Sequence, residues 1–150
     1  MATGAQQLSQ ESTDALWSRQ VEFADRGVAD NRDDASLVVK VAVPPSAVLA
    51  TIADLRAHAA DCTIQAHAAS GIVVARFAKF AAADVSSLLV GKLRPTAIAR
   101  GGSLVVLDSQ LEGLTPHVVW GGRSDATVLM ERVKREFDPH NILNPNRFVY

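Results

Sequence analysis

The chain has 150 residues, of which 48% are hydrophobic and 21% are charged, a balance typical of one globular domain rather than a disordered chain. With 15 Lys and Arg against 16 Asp and Glu, no strong field attracts nucleic acid or an anionic membrane surface. The single cysteine, Cys62, excludes an internal disulfide and a cage of several thiolates. No apolar run approaches the roughly 20 residues that cross a bilayer, so we expect a cytoplasmic protein that binds neither membrane nor nucleic acid.

Residues 1–36 predict a flexible lead, one helix and a linker. Residues 1–10 are small and polar, which is typical of a disordered lead. Apolar side chains recur at helical spacing over residues 14–27, whereas the stretch "VADNRDDAS" that follows is charged and has no apolar period. We therefore predict that one compact domain occupies residues 37–150.

The compact domain opens with a predicted strand, a helix and a hairpin. Residues 37–43, "LVVKVAV", are rich in β-branched side chains and are followed by two prolines, which is typical of a strand. Residues 46–59 carry apolar groups at helical spacing. Residues 62–67 and 72–77 flank "AASG", whose Gly71 can adopt a positive φ, so the pair predicts an antiparallel hairpin.

A second helix and a fourth strand complete the predicted domain. The helix begins near Asp84, and Pro95 should bend or end it because the proline ring clashes with the carbonyl group of Gly91. Residues 103–109, "SLVVLDS", form the fourth strand. The order β-α-β-β-α-β is that of a ferredoxin-like sandwich, an α+β fold with a four-stranded antiparallel sheet and two helices on one face.

The C-terminal part predicts an irregular stretch, a helix and a rigid tail. "LEGLTPHVVWGGR" has no clear period, whereas residues 124–137 predict a final helix. The apolar side of that helix consists of Val128, Leu129, Val133 and Phe137. Two Asx-Pro steps, Asp138-Pro139 and Asn144-Pro145, restrict the backbone of the tail, and a rigid tail is suited to docking.

Three peptides carry a resemblance to a known family: "TIQAHAASGIVVARF", "GGSLVVLDS" and "VKREFDPHNILNPNRF". Together they resemble the C-terminal region of FAD-linked oxidases of the vanillyl-alcohol oxidase type, and within that group the FAD-binding subunit of bacterial glycolate oxidase. The likeness extends roughly from Trp17 to Phe148 and is most specific in the last peptide. The chain departs from the family pattern at "HAASG", which lacks the usual central Gly and acid or amide, and at Asn146, where Gly is usual.

The resemblance implies the cap or substrate domain of a FAD-dependent oxidoreductase that acts on a small 2-hydroxy acid such as glycolate. FAD would be held by a partner, a flavin-binding domain or subunit, because Gly101-Gly102 and Gly121-Gly122 lack the strand-to-helix context of a phosphate-binding loop. We therefore do not expect FAD on this chain alone. Two alternative functions are a stand-alone ligand-binding module and a non-catalytic assembly subunit. In addition, the exposed face of the cap could form a homo-oligomer.

His67 is the catalytic candidate, because by resemblance it matches the motif histidine beside the tight turn. It would act as an acid or base, or donate a hydrogen bond to a substrate carboxylate. The alternative is a half-buried histidine bonded to the turn backbone. His58 and Cys62 lie nearby in the sequence, but no carboxylate is placed to complete a tetrahedral set, so we predict no metal site.

Further candidates for substrate and cofactor binding are an arginine, a tryptophan and three residues of the tail. Arg76 and Trp120 are candidates for substrate binding, although a solvated strand face and aromatic packing on the sheet edge are the alternatives. By resemblance, Asn144, Pro145 and Asn146 would approach the flavin and are the cofactor-binding candidates. The alternative for these three is a helix cap and turn that pack on the core of the same domain.

Overall fold

A computed structural model describes residues 9–21, 23 and 36–145. The helices are α1 (Gln10–Val21), α2 (Val48–His58), α3 (Arg94–Ala99), α4 (Pro116–Trp120) and α5 (Thr127–Phe137). The strands are β1 (Leu37–Ala42), β2 (Thr63–His67), β3 (Ile72–Phe77) and β4 (Ser103–Ser109). Short 3-10 turns cover Pro45–Ala47 and Ala68–Ser70, and a π-helix, Val85–Leu93, leads directly into α3.

The four strands form one antiparallel sheet in the order β2-β3-β1-β4. On the central strand, Val39 lies opposite Ala75 of β3 and Val106 of β4. The register between β1 and β4 shifts once, between Val38 and Val39. This arrangement confirms the predicted ferredoxin-like α+β fold, because the two halves of a split β-α-β unit interleave in this order.

The core lies between the sheet and the helices α2, α3 and the π-helix. Alternate strand residues point towards it, since successive side chains of a strand face opposite sides of the sheet. The strands contribute Val39, Val41, Val73, Ala75, Leu104 and Val106. The helices contribute Val48, Leu55, Leu89, Leu93 and Ala97. Each of these side chains is almost completely buried.

Of the two effects predicted for Pro95, a bend or an end of the helix, the end does not occur, because the chain remains helical through Pro95 as far as Ala99. The residues before it form a π-helix, in which the amide of Arg94 donates to the carbonyl group of Leu89, five residues earlier. The change from π- to α-helix occurs at Arg94, so Pro95 occupies the first turn of α3, where its missing N–H costs little. Pro95 therefore coincides with a change of helix type and not with an end.

The N-terminal helix starts earlier than predicted. It begins at Gln10 because the hydroxyl group of Ser9 accepts a hydrogen bond from the amide of Ser12, at 3.2 Å. None of its residues is buried, and Trp17 is exposed. Residues 1–8, 22 and 24–35 lie outside the described residues, and with them most of the predicted lead and linker, so the domain boundary at residue 37 stays a prediction.

The sequence analysis missed one helix, α4, in the stretch expected to be irregular. Thr115 caps it by accepting a hydrogen bond from the amide of Val118, and Pro116 occupies its first turn. A Thr-Pro pair is a known helix-start signal, so the sequence contained the information. The helix contacts β4 and extends the helical layer beside the sheet.

Candidate functional site

The face of the sheet opposite α2 and α3 carries the first candidate site, which we call the open face. The register places Lys40 of β1 opposite Val74 and Val105, and places Gln65 opposite Val74. Its other members on β2 and β3 are Thr63, His67, Ile72 and Arg76. The two strand residues predicted as site residues, His67 and Arg76, therefore lie on the same face.

His67 is the last residue of β2, and its side chain is exposed. Its Nε2 atom lies 3.1 Å from Nε2 of Gln65, two residues earlier on the same face. This distance is that of a hydrogen bond between the two side chains, and which of them donates depends on the tautomer of the histidine. The side chain is thus bonded to a polar neighbour on the open face rather than half-buried against the turn backbone, while its catalytic role stays a prediction.

The turn after His67 is fixed by Gly71. Its φ is +70°, and a Cβ atom placed there would lie 1.8 Å from the carbonyl oxygen of Val43. The amide of Val43 donates to the Gly71 carbonyl group at 2.9 Å, so the turn is fastened to the end of β1. Glycine alone fits this position without displacing the turn, because its φ is positive and a Cβ atom would meet the Val43 carbonyl oxygen. The close contact holds His67 at a defined end of the open face.

Lys40 is a further candidate site residue, which the sequence analysis did not single out. It is half-buried on a central strand, and within the described part of the chain its ammonium group makes no hydrogen bond or ion pair. Its neighbours across the strands are Val74 and Val105, and Arg76 is its diagonal neighbour, at roughly 7–8 Å for such pairs. A lysine in the middle of the "VVKVAV" run was the available signal, because that run is otherwise apolar.

Arg76 lines a groove at the other end of the open face. The groove has a volume of about 400 Å³, and Arg19, Phe23 and Thr63 also line it. Two guanidinium groups beside an aromatic ring suit an anion or a planar acid. Arg76 is half-buried, so it does not belong to a fully solvated strand face.

Trp120 lies away from these strand residues, at the end of α4, where it is half-buried. The next residue, Gly121, packs against the side chain of Arg94, a residue that is only 7% exposed. Arg94 donates to the carbonyl groups of Leu104 and His117, each at 3.3 Å, and to that of Val118. Burial lowers the pKa of this guanidinium, and its bonds fasten α4 to β4.

The C-terminal tail is fastened to its own helix by Asp138. This carboxylate, which is buried, accepts hydrogen bonds from the amides of Ile142 at 2.8 Å and Leu143 at 2.9 Å. Lys134, one helical turn earlier, donates to the same carboxylate and to the carbonyl group of Leu143, the latter at 2.6 Å. The bond from Lys134, followed by those from the two amides, holds the pKa of the Asp138 carboxyl below its usual value despite the opposing effect of burial.

The apolar side chains of α5 and the tail point outwards. Phe137 is 80% exposed, Ile142 72% and Leu143 62%. We call the outward-facing group the α5-tail surface; it consists of Leu129, Met130, Val133, Phe137, Ile142 and Leu143. It includes a groove of about 410 Å³ that is also lined by Asn144. The expected alternative, a tail packed on the core of its own domain, therefore does not describe the apolar pair.

Of the three cofactor-binding candidates, Asn144 and Pro145 are described and Asn146 lies outside the described residues. Asn144 has a φ of 48° and Asn141 a φ of 51°, values that asparagine tolerates better than most residues. Both candidates are exposed, beside the α5-tail surface. Whether they approach a flavin stays a prediction.

No group of three or more His, Cys, Asp or Glu side chains within the described residues is arranged to hold a metal ion. Cys62 is buried, and burial raises the pKa of its thiol, which disfavours the thiolate that binds metals. Across the described ranges, no helix has both the length and the apolar character needed to cross a membrane.

Comparison with known proteins gives one specific result. The family described as FAD linked oxidases, C-terminal domain, matches residues 122–148. No curated protein and no solved structure matches the chain. The matched segment contains α5 and the tail, and it supports a C-terminal part of a FAD-linked oxidase, a family that uses FAD in the complete enzyme. The sheet and His67 lie outside the matched range.

Proposed function

We propose that this chain is the C-terminal cap and substrate domain of a FAD-dependent oxidoreductase of the vanillyl-alcohol oxidase type that acts on a small 2-hydroxy acid, as in glycolate oxidase. Its partner is a flavin-binding domain, on the same polypeptide or on another chain. One observation carries the proposal: the segment that matches the C-terminal domain of FAD-linked oxidases also carries the exposed apolar side chains of the α5-tail surface.

The α5-tail surface supports docking to that partner. Contiguous exposed apolar surface in a folded protein usually marks an interaction site. The core of the domain is already complete without α5, because sheet and helices bury one another. A second copy of the chain is the alternative occupant, and sedimentation of the chain alone distinguishes it, since a homo-oligomer forms without any flavin-binding domain.

The glycine pairs of this chain do not fit a dinucleotide, which is consistent with FAD being held by the partner. Gly101 and Gly102 lie between α3 and β4, and Gly121 and Gly122 follow α4. Pyrophosphate binding needs the opposite order, a strand followed by a Gly-rich turn and a helix N-terminus. The chain's own contribution is therefore to cover the flavin and orient the substrate.

The open face supports an anionic substrate. Lys40 and Arg76 place two cations as diagonal neighbours, and an ammonium and a guanidinium group both bind carboxylates. His67 adds an exposed imidazole on the same face, a group that can act as an acid or base toward a substrate hydroxyl group. Lys40 is half-buried between the apolar neighbours Val74 and Val105, so its charge is screened less than that of a fully exposed lysine.

The proposal is tested by mixing the chain with the flavin-binding domain and following glycolate-dependent reduction of an electron-accepting dye. We expect activity only in the mixture, with ethylene glycol, which has no carboxylate, as a poor substrate. Lys40→Met should raise KM for glycolate about tenfold or more, since a charged hydrogen bond contributes roughly 1.5–3 kcal/mol. Lys92→Met, on the exposed side of the π-helix, is the matched control.

Two outcomes would contradict the proposal. Carboxylate binding by the chain alone, with no association with the flavin-binding domain, would favour a stand-alone ligand-binding module. Association without any dependence of turnover on Lys40, Arg76 or His67 would favour a non-catalytic assembly subunit. In the second case the α5-tail surface would still be the docking surface, but the open face would not bind substrate.

A further inference from the structure

The tail between Asp138 and Asn144 has a defined conformation that contributes little to the core. Its hydrogen bonds end on Asp138 and Lys134, which belong to α5 and its cap, and the side chains that the tail presents are exposed. If these bonds served only the stability of the domain, the apolar side chains of Ile142 and Leu143 would be expected to face inwards. They face solvent instead, at 72% and 62% exposure.

We propose that Asp138 and Lys134 are positioning residues that hold Ile142 and Leu143 in their docking conformation before any partner binds. This inference rests on the proposed function, because it concerns the surface that would contact the flavin-binding domain. Asp138 accepts hydrogen bonds from both amides of the apolar pair, and the Lys134 ammonium donates to the Leu143 carbonyl group. Both backbone ends of Leu143 are therefore bonded to the helix.

This geometry needs the two acceptor oxygens of the Asp138 carboxylate and the several donor protons of the Lys134 ammonium group. A carboxylate has two acceptor oxygens, and here Oδ1 takes the Ile142 amide while Oδ2 takes the Leu143 amide and Lys134. An asparagine side chain offers one acceptor oxygen and would lose at least one of these bonds. Lys134 also donates to two acceptors, which a methionine cannot do.

A tail held in this way lowers the cost of association. Fixing the backbone of one residue costs about tenfold in an equilibrium constant, because the lost conformational entropy must be offset on binding. A released tail would have to order several residues when it docks. We therefore expect loss of Asp138 or Lys134 to weaken association with the flavin-binding domain by about tenfold or more, mainly through faster dissociation.

The experiment uses the full chain in five forms: wild type, Asp138→Asn, Lys134→Met, Lys134→Arg and the control Arg135→Met. Arg135 is exposed on the same helical turn and pairs with Glu131 instead of the tail. The first readout is amide hydrogen exchange of Ile142 and Leu143 in the isolated chain. The second is the Kd for the flavin-binding domain, measured by surface plasmon resonance.

We expect both amides to be protected in the wild type and in Arg135→Met, and to exchange about tenfold faster or more in Asp138→Asn and Lys134→Met. The Kd should rise in the same two variants, while the melting temperature stays within a few degrees of wild type. Lys134→Arg should restore part of the protection and affinity, because a guanidinium group can still donate to both acceptors.

The two proposals fail in different ways. Unprotected Ile142 and Leu143 amides in the wild type, or variants that lose protection without any change in Kd, would overturn the positioning role and leave the docking surface in place. A wild-type chain that does not associate with the flavin-binding domain, although its amides are protected, would overturn the proposed function and the docking role together.

Discussion

The sheet with its helices and the C-terminal helix with its tail use apolar residues in opposite ways. In the first region, Leu55 and Leu89 are almost completely buried between layers, as a helix facing a sheet requires. In the second, Leu129 and Phe137 lie at 65% and 80% exposure on a helix with a clear apolar stripe. An amphipathic pattern thus predicts that a face will be covered, but not by which molecule.

The largest expected difference between the two regions is in stability. Leu89→Ala should lower the free energy of unfolding by about 2–5 kcal/mol, because it leaves a cavity in the core. Leu129→Ala removes the same atoms from an exposed position and should change it by no more than about 0.5 kcal/mol. Urea titration of both variants measures the difference. Similar losses in both would mean that α5 packs against the core in solution.

A second comparison concerns two glycines with similar backbone angles, Gly71 with a φ of +70° and Gly113 with a φ of +74°. A methyl group added at Gly113 would have open space around it, whereas one added at Gly71 would meet the Val43 carbonyl oxygen. Gly113→Ala should cost about 1–2 kcal/mol through its backbone angle alone. Gly71→Ala should cost clearly more, since the turn must also move away from β1. Equal costs in thermal unfolding would show that the turn is not fastened to β1.

The smallest expected effect is a pH dependence confined to the tail. The pKa of Asp138 is lowered in the folded chain, so its contribution is present above the unfolded value and is lost as the pH falls below about 4 towards the folded value. The amide shifts of Ile142 and Leu143 should therefore titrate at acid pH in the wild type. A midpoint at or above the ordinary aspartate value would contradict the role assigned to Lys134.

The sequence predicted the elements of the sheet region closely, because its strands are short β-branched runs bounded by Pro or Gly. The β3 and β4 strands begin and end at the predicted residues. The α4 helix was missed because five residues give no period, although Thr115-Pro116 marked its start. The sequence could not predict whether the apolar stripe of α5 faces the core or a partner, since the period and composition of the helix are the same in both cases.

The candidate site was predictable only in part. His67 came from a family resemblance, and its neighbours on β3 depend on the register between β2 and β3, which a single sequence does not specify. Lys40 stood out as the charged residue of an apolar run, but its neighbours on the open face follow from strand pairing, which the sequence analysis did not use. The outline of the tail came from its two prolines, while the bonds from Ile142 to Asp138 depend on how the backbone turns after α5.

The central claim is that α5 and the tail belong to a docking surface and not to the core of this domain. Native-state hydrogen exchange of the chain alone tests it most directly, because exchange by local opening and by global unfolding can be separated. We predict that amides of β1 and β3 exchange only through global unfolding, while those of α5 exchange through a local opening of much lower free energy. If α5 and β1 exchanged with the same free energy and the same denaturant dependence, α5 would be part of the core and the claim would be wrong.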